Sequence, residues 1–378
     1  MNIKAASRTS RLALLLVPGL LASPAGAQQQ AAPITGDVIV RQEWNDGFFA
    51  KPDPVPAHRT RLQIRPRFEI ETNLLRMGVG ADINYSSDKN TEPKDVPLPL
   101  GLIRDNYRSR SIRLDQAYLG INLTTALKVD AGRMPMPFKL TNMIWDEDLR
   151  IQGAAAQLVL HSGKTVEPVA RLSGIFSRGS HVFADSADPK GSSLGDGVTI
   201  KGGSLDLGFG EGKRIDLTGT YLTFEKVEFL ERMIRRQNTR VNGNLTREYG
   251  VIDVALRLRT DKPIPIQVVV DGARNRKAPD QRDGFWAALV LDSLHGNRVR
   301  GTYTYARMDK DVTVAAYAGD DFFWGTGWLG HRAEIAFAQS PKSTFHIIAQ
   351  MQQFKDSPSP AERTNWLKRL RLEARRTF

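Results

Sequence analysis

From Arg61 the chain alternates with a period of two: Leu62, Ile64, Pro66, Phe68 and Ile70 fall on one face, and Arg61, Gln63, Arg65, Arg67, Glu69 and Glu71 on the other. Successive side chains of a strand point to opposite faces, and no helical period gives that split. Met77, Val79, Ala81, Ile83 and Tyr85 repeat the pattern after Thr72 to Leu74, a connection short enough only for a hairpin, so these two strands are antiparallel. Ile252 to Leu258 and Ile264 to Val270 alternate on either side of the turn Asp261-Lys262-Pro263. Phe285 to Leu291 pairs across His295 to Asn297 with Val299 to Tyr305. His331 to Ala338, Phe345 to Gln353 and Trp366 to Phe378 supply three more strands, the last with a basic face of Arg369, Arg371 and Arg375.

Joined together, these segments give about 16 strands, the first near Gly36 to Glu43, and their connections sort into two alternating length classes. Short turns lie near Thr72, Thr124, Ser162, Gly210, Lys262, Gly296 and Pro341. Long connections run Asn45 to His58, Ser87 to Ser109, Met134 to Gly153, Ser177 to Gly197, Glu225 to Asn244, Asn275 to Asp283, Met308 to Gly330 and Lys355 to Thr364. That sorting is what an all-β transmembrane antiparallel barrel with short periplasmic turns and long extracellular loops requires; soluble sandwiches and propellers alternate too but do not sort their loops this way. The apolar phase of Arg108 to Leu123 slips near Asp115, which predicts a bulge.

The chain begins with Lys4, Arg8 and Arg11, an apolar stretch Leu12 to Leu21, and Ala25-Gly26-Ala27, so residues 1–27 read as a cleaved export signal and 28–378 as the barrel. The absence of cysteine fits an oxidising compartment. No run reaches the roughly 18 apolar residues of a spanning helix, which excludes a helical membrane protein.

With 53 Lys+Arg against 41 Asp+Glu the formal net charge is +12. An arginine at the lipid midplane costs about 2–4 kcal/mol, so the arginine rows must face the lumen or the rims. Nucleic acid is not a fitting partner, because no basic helix or aromatic platform supports it.

Leu114-Asp115-Gln116-Ala117-Tyr118-Leu119-Gly120, Asp130-Ala131-Gly132-Arg133-Met134-Pro135-Met136-Pro137-Phe138, Trp145-Asp146-Glu147-Asp148-Leu149, Gln152-Gly153, Gly319-Asp320-Asp321 and Gly330-His331-Arg332-Ala333-Glu334 resemble segments of the bacterial putative outer-membrane porins, distant relatives in pattern of phosphate-selective porins. The terminal Phe378 after alternating apolar residues resembles the signal that such barrels present to the barrel assembly machinery. The resemblance implies a water-filled channel for small hydrophilic solutes and ions, outer-membrane lipid and lipopolysaccharide as surroundings, and, as in porins generally, a homotrimer. It also implies that the third long loop, residues 134–153, folds inward as a constriction. Trp145, Asp146, Glu147 and Asp148 of that loop would then face Arg61, Arg65, Arg67, Arg76, Arg113 and Arg133. Acids opposite arginines would set a transverse field, and the basic excess predicts a mild preference for anions.

Enzymatic signals are weak. Gly191-Ser192-Ser193-Leu194-Gly195 matches a nucleophile motif without the strand-to-helix elbow it needs, so an outer-membrane lipid hydrolase built on Ser193 is the alternative rather than the reading. Gly325 to Gly330 has the glycine spacing of a dinucleotide loop but no helix to follow it, and the 6 histidines lack metal-ligand spacing, so neither cofactor nor metal is expected. Val227, Leu230, Met233 and Ile234 would place a short helix within Glu225 to Gln237.

Overall fold

The computed structural model describes residues 34–46, 58–87, 111–161, 169–178, 198–210, 215–227, 238–240, 245, 248–260, 264–293, 298–319, 322, 325–355 and 360–378. The export signal, Ser193 and most of the expected helix after Glu225 lie outside these residues. The first eight strands are β1 (Ile34–Asp46), β2 (His58–Glu71), β3 (Leu75–Ser86), β4 (Ser111–Asn122), β5 (Leu127–Pro135), β6 (Arg150–His161), β7 (Val169–Arg178) and β8 (Thr199–Phe209). The second eight are β9 (Ile215–Glu225), β10 (Tyr249–Thr260), β11 (Ile266–Asn275), β12 (Asp283–Ser293), β13 (Val299–Met308), β14 (Trp328–Ser340), β15 (Ser343–Phe354) and β16 (Leu367–Thr377). Each pairs antiparallel with its neighbours in sequence, and β1 pairs with β16 to close a 16-strand barrel.

The alternation produces an inverted protein. On β2 the arginine Arg61 is 2% exposed while its neighbour Leu62 is 36% exposed. The same holds on β16, where Arg371 is 1% and Leu370 is 42% exposed. A chain that shows leucine outward and hides arginine inward is solvated by lipid on its outer face, and closure removes the strand edges that lipid could not satisfy. Threonines shape two of the short turns: the Thr72 hydroxyl accepts from the Leu74 and Leu75 amides, and Thr124 does the same for Ala126 and Leu127.

The bulge expected near Asp115 is present, since Gly80 pairs with Gln116 and Ala81 with Leu114, leaving Asp115 as the extra residue. It turns both Asp115 and Gln116 inward, and both are buried. The first strand is longer than the expected Gly36 to Glu43, because its whole length finds partners, from Ile34 opposite Phe68 to Asp46 opposite Lys368.

At the seam the Gly36 and Phe378 amides each donate to the other's carbonyl, at 3.1 and 3.0 Å. The Phe378 ring lies over Gly36, and a Cβ built there would come within 2.5 Å of the Arg65 carbonyl and 2.6 Å of the ring. Gly36→Val is therefore expected to weaken closure by about 1–3 kcal/mol. A lower temperature for the loss of the compact, heat-modifiable band on gel electrophoresis would show it, and an unshifted midpoint would refute it.

Candidate functional site

The lumen divides into two unlike halves. Towards the extracellular ends of β6 to β14 the inward residues are apolar, among them Ile151, Ile175, Ile200, Phe224, Tyr249, Trp286, Met308 and Trp328. Two connections fold in against them: residues 136–149 between β5 and β6, and the described residues 309–319, 322 and 325–327 between β13 and β14. Met143, Ile144 and Trp145 from the first pack with Val312, Val314, Ala315, Tyr317 and Phe322 from the second, all of them buried. The Asp146 amide donates to the Tyr317 carbonyl at 2.8 Å and the Gly319 amide to the Asn142 carbonyl at 2.7 Å. Trp145 and Tyr317 stack, with ring centroids 5.2 Å apart and planes 11° off parallel. Burial raises the Tyr317 phenol well above its usual value, so it stays neutral within this core.

The side chain of Asn238 fastens the second loop from above, donating to the Lys310 and Thr313 carbonyls and accepting from the Ala315 amide. Asp311 accepts from the Thr239 amide and the Tyr249 hydroxyl. The first loop crosses the barrel as a bar. At one end Lys139 pairs with Asp216 of β9 at 2.6 Å and the Thr141 hydroxyl donates to Asp271 of β11. At the other end Asp148 meets Arg65 of β2.

The inner wall of β16, β1 and β2 is polar and arginine-rich. Glu43, fully buried, receives Arg59 at 2.5 Å, Arg369 at 3.1 Å and Arg371 at 2.7 Å. Glu373 receives Arg41 at 2.5 Å and also Arg375. Arg65 is held by Asp37 at 2.8 Å as well as by Asp148. Arg61 donates to Asn84 at 3.0 Å, beside Gln63 and Asp82.

The sequence-selected residues take several positions. Arg61, Arg65 and Arg67 line one inward row of β2, with Arg67 3.5 Å from Asp115. Arg76 lies at the periplasmic end of β3 and pairs with Asp130 at 3.0 Å. Arg133 donates to the Asp115 carbonyl at 2.9 Å. The Arg113 side chain is outside the described residues, although its backbone pairs opposite Asp82. Trp145 belongs to the apolar core. Asp146 is buried and accepts the Asp148 amide at 3.0 Å. Glu147 borders a cavity on the far side of the loop. Asp148 is in contact with the arginine row through Arg65. Burial would raise its carboxyl, but Arg65, then Arg61, Arg150 and Arg41, outweigh burial and hold it below the usual carboxylate range.

The Glu43 and Glu373 clusters and the inward second loop were not among the sequence-selected residues. The unbroken apolar run from Val312 to Ala318, inside a connection that water should cover, was the available signal for the loop.

Residues 47–244, just over half of the chain, match the family described as putative porin. The chain belongs to that family. Among solved structures, Pseudomonas putida OprB is similar over 92% of this chain and 94% of its own, at a TM-score of 0.59 and 9% identity. A mutant of the Rh. blastica porin is similar over 92% of this chain and 100% of its own, at 0.50 and 10%. No curated protein sequence matches. At these identities the structural likeness speaks for the barrel, and the family for the channel. The porin is a diffusion channel, and family and barrel together point to the outer membrane.

Proposed function

We propose that this porin passes small hydrophilic solutes with a modest preference for anions, selected along the wall of β16, β1 and β2. The observation that carries the reading is the charge of that wall: Arg41, Arg59, Arg61, Arg65, Arg67, Arg369, Arg371 and Arg375 outnumber Asp37, Glu43, Glu69, Glu71, Glu373 and Asp148. Fixed guanidiniums lining an aqueous channel with low-dielectric walls concentrate anions and repel cations. The loop within 134–153 acts as the constriction, since it bridges the barrel from β9 and β11 to β2. With its carboxyl held low, the Asp148–Arg65 contact is intact at neutral pH and is lost only as pH falls through the depressed pKa, so its titration should not change conductance between pH 6 and 8.

The mature protein begins after the export signal, reaches the outer membrane through recognition of Phe378 by the assembly machinery, and sits among lipid and lipopolysaccharide as a homotrimer. It works as a passage and not as a catalyst. The support is the family, the basic n-region and A-x-A site, and the lipid-facing outer surface.

Planar-bilayer recording in a KCl gradient tests the selectivity. Chloride should be favoured over potassium by about two- to threefold, and Asp148→Asn should increase that ratio. A reversal potential on the potassium side would overturn the reading.

A further inference from the structure

Beneath the crossing loop, on the side away from the arginine wall, lies a cavity of about 510 Å³. Its volume falls within the range of small-molecule sites. Phe138, Leu140 and Trp145 border it from the loop, and Trp286, Val269 and Val290 from β12 and β11. Two guanidiniums, Arg257 of β10 and Arg300 of β13, lie on the lining towards the periplasmic ends of their strands. Trp286 lies nearer the extracellular end, in register with Asp271 and Ala306.

The two arginines differ from those of the opposite wall. Neither makes an ion pair among the described residues. Arg257 is fixed instead by neutral partners, donating to the Lys139 carbonyl at 2.9 Å and to the Thr218 hydroxyl at 3.3 Å. Arg300 is exposed and has no hydrogen-bond partner among the described residues. The lining also holds Glu147, and Arg257 lies in the field of the buried Asp253 and Asp271, so Arg300 is the cation on offer to a solute. An apolar interior with guanidiniums towards one end matches a solute with an apolar body and an anionic head: the fork of Arg300 takes a planar carboxylate by two parallel hydrogen bonds while the ring or branched chain lies against Trp286, Val269 and Val290.

We propose that this cavity is a binding site for small amphipathic organic anions, of which aromatic carboxylates are the simplest, held on their way through the barrel. The proposal deepens the reading of the porin as an anion-favouring channel and rests on it for the solute's route, but the site itself can be tested without a membrane.

Ligand-observed NMR titration of the detergent-folded, full mature barrel with benzoate, benzamide and acetate separates the two requirements. Benzoate should bind about tenfold more tightly than benzamide, which lacks the charge, and than acetate, which lacks the ring. Arg300→Gln should bring benzoate down to the level of benzamide. Lys342→Gln, which removes the same charge in a distant periplasmic turn, should leave benzoate binding as it was. Equal binding of the three probes, or equal loss in both variants, would overturn the site. Bilayer recording in KCl without benzoate decides the channel separately: chloride-favouring steps with no preference for benzoate would sink the cavity alone, and benzoate binding without steps would sink the route.

Discussion

Replacing Glu43 by Gln is expected to be the most damaging single substitution in the barrel wall, costing about 3–5 kcal/mol of stability. The carboxylate is fully buried and is the shared partner of Arg59, Arg369 and Arg371, which come from β2 and β16 on either side of it. Glutamine keeps the shape and one accepting oxygen but leaves three guanidiniums crowded together without their counter-charge. The loss comes from uncompensated buried charge, not from the ion pairs' net worth, so a double replacement that also removes Arg371 should recover part of it. Urea-dependent unfolding of the detergent-folded protein measures the effect. A change below about 1 kcal/mol would mean that water reaches the cluster and screens it.

Trp145→Ala is expected to have the largest effect on the channel itself. Trp145 is 4% exposed and stacks on Tyr317, where the two inward loops meet. Removing a buried tryptophan costs about 3–5 kcal/mol, and here that energy docks one loop on the other, because the backbone contacts Asp146 to Tyr317 and Gly319 to Asn142 flank the ring. Single-channel recordings should show a higher mean conductance with rapid flicker, and brief protease treatment should cut within 309–319 while the barrel stays intact. Steady current of unaltered size from a folded variant would show that the two loops hold their places independently.

The fold could be read from alternation because a lipid-facing strand must repeat every two residues. The row from Arg61 to Glu71 carries that signal in full, and the slip at Asp115 marked its bulge. Much of the site was hidden for a different reason. Glu43 has its partners on β2 and β16, so its environment depends on closure and register, which no local pattern encodes. The sequence could also sort connections by length but not by destination. Met308 to Gly330 had the length of an outer loop, and only the apolar run from Val312 to Ala318 hinted that this part of it folds inward.

The luminal charges of the closing seam also act as a proofreading device for assembly. A slip of one residue between β1 and β16 would turn every side chain to the wrong face, and lipid would reject it. A slip of two would keep all of them on their proper faces, so greasiness cannot detect it. In the native alignment Arg41 stands opposite Glu373, and Glu43 opposite Arg371. Sliding two positions one way sets Glu43 against Glu373 and Arg41 against Arg375. Sliding the other way sets Arg41 against Arg371 but also Glu43 against Arg369 and Asp37 against Arg375. Like charges directly opposite one another are destabilising and opposite charges are not, so the luminal charges of this joint bar the first slip and leave the second to other contacts of the seam, such as the paired amides and carbonyls of Gly36 and Phe378.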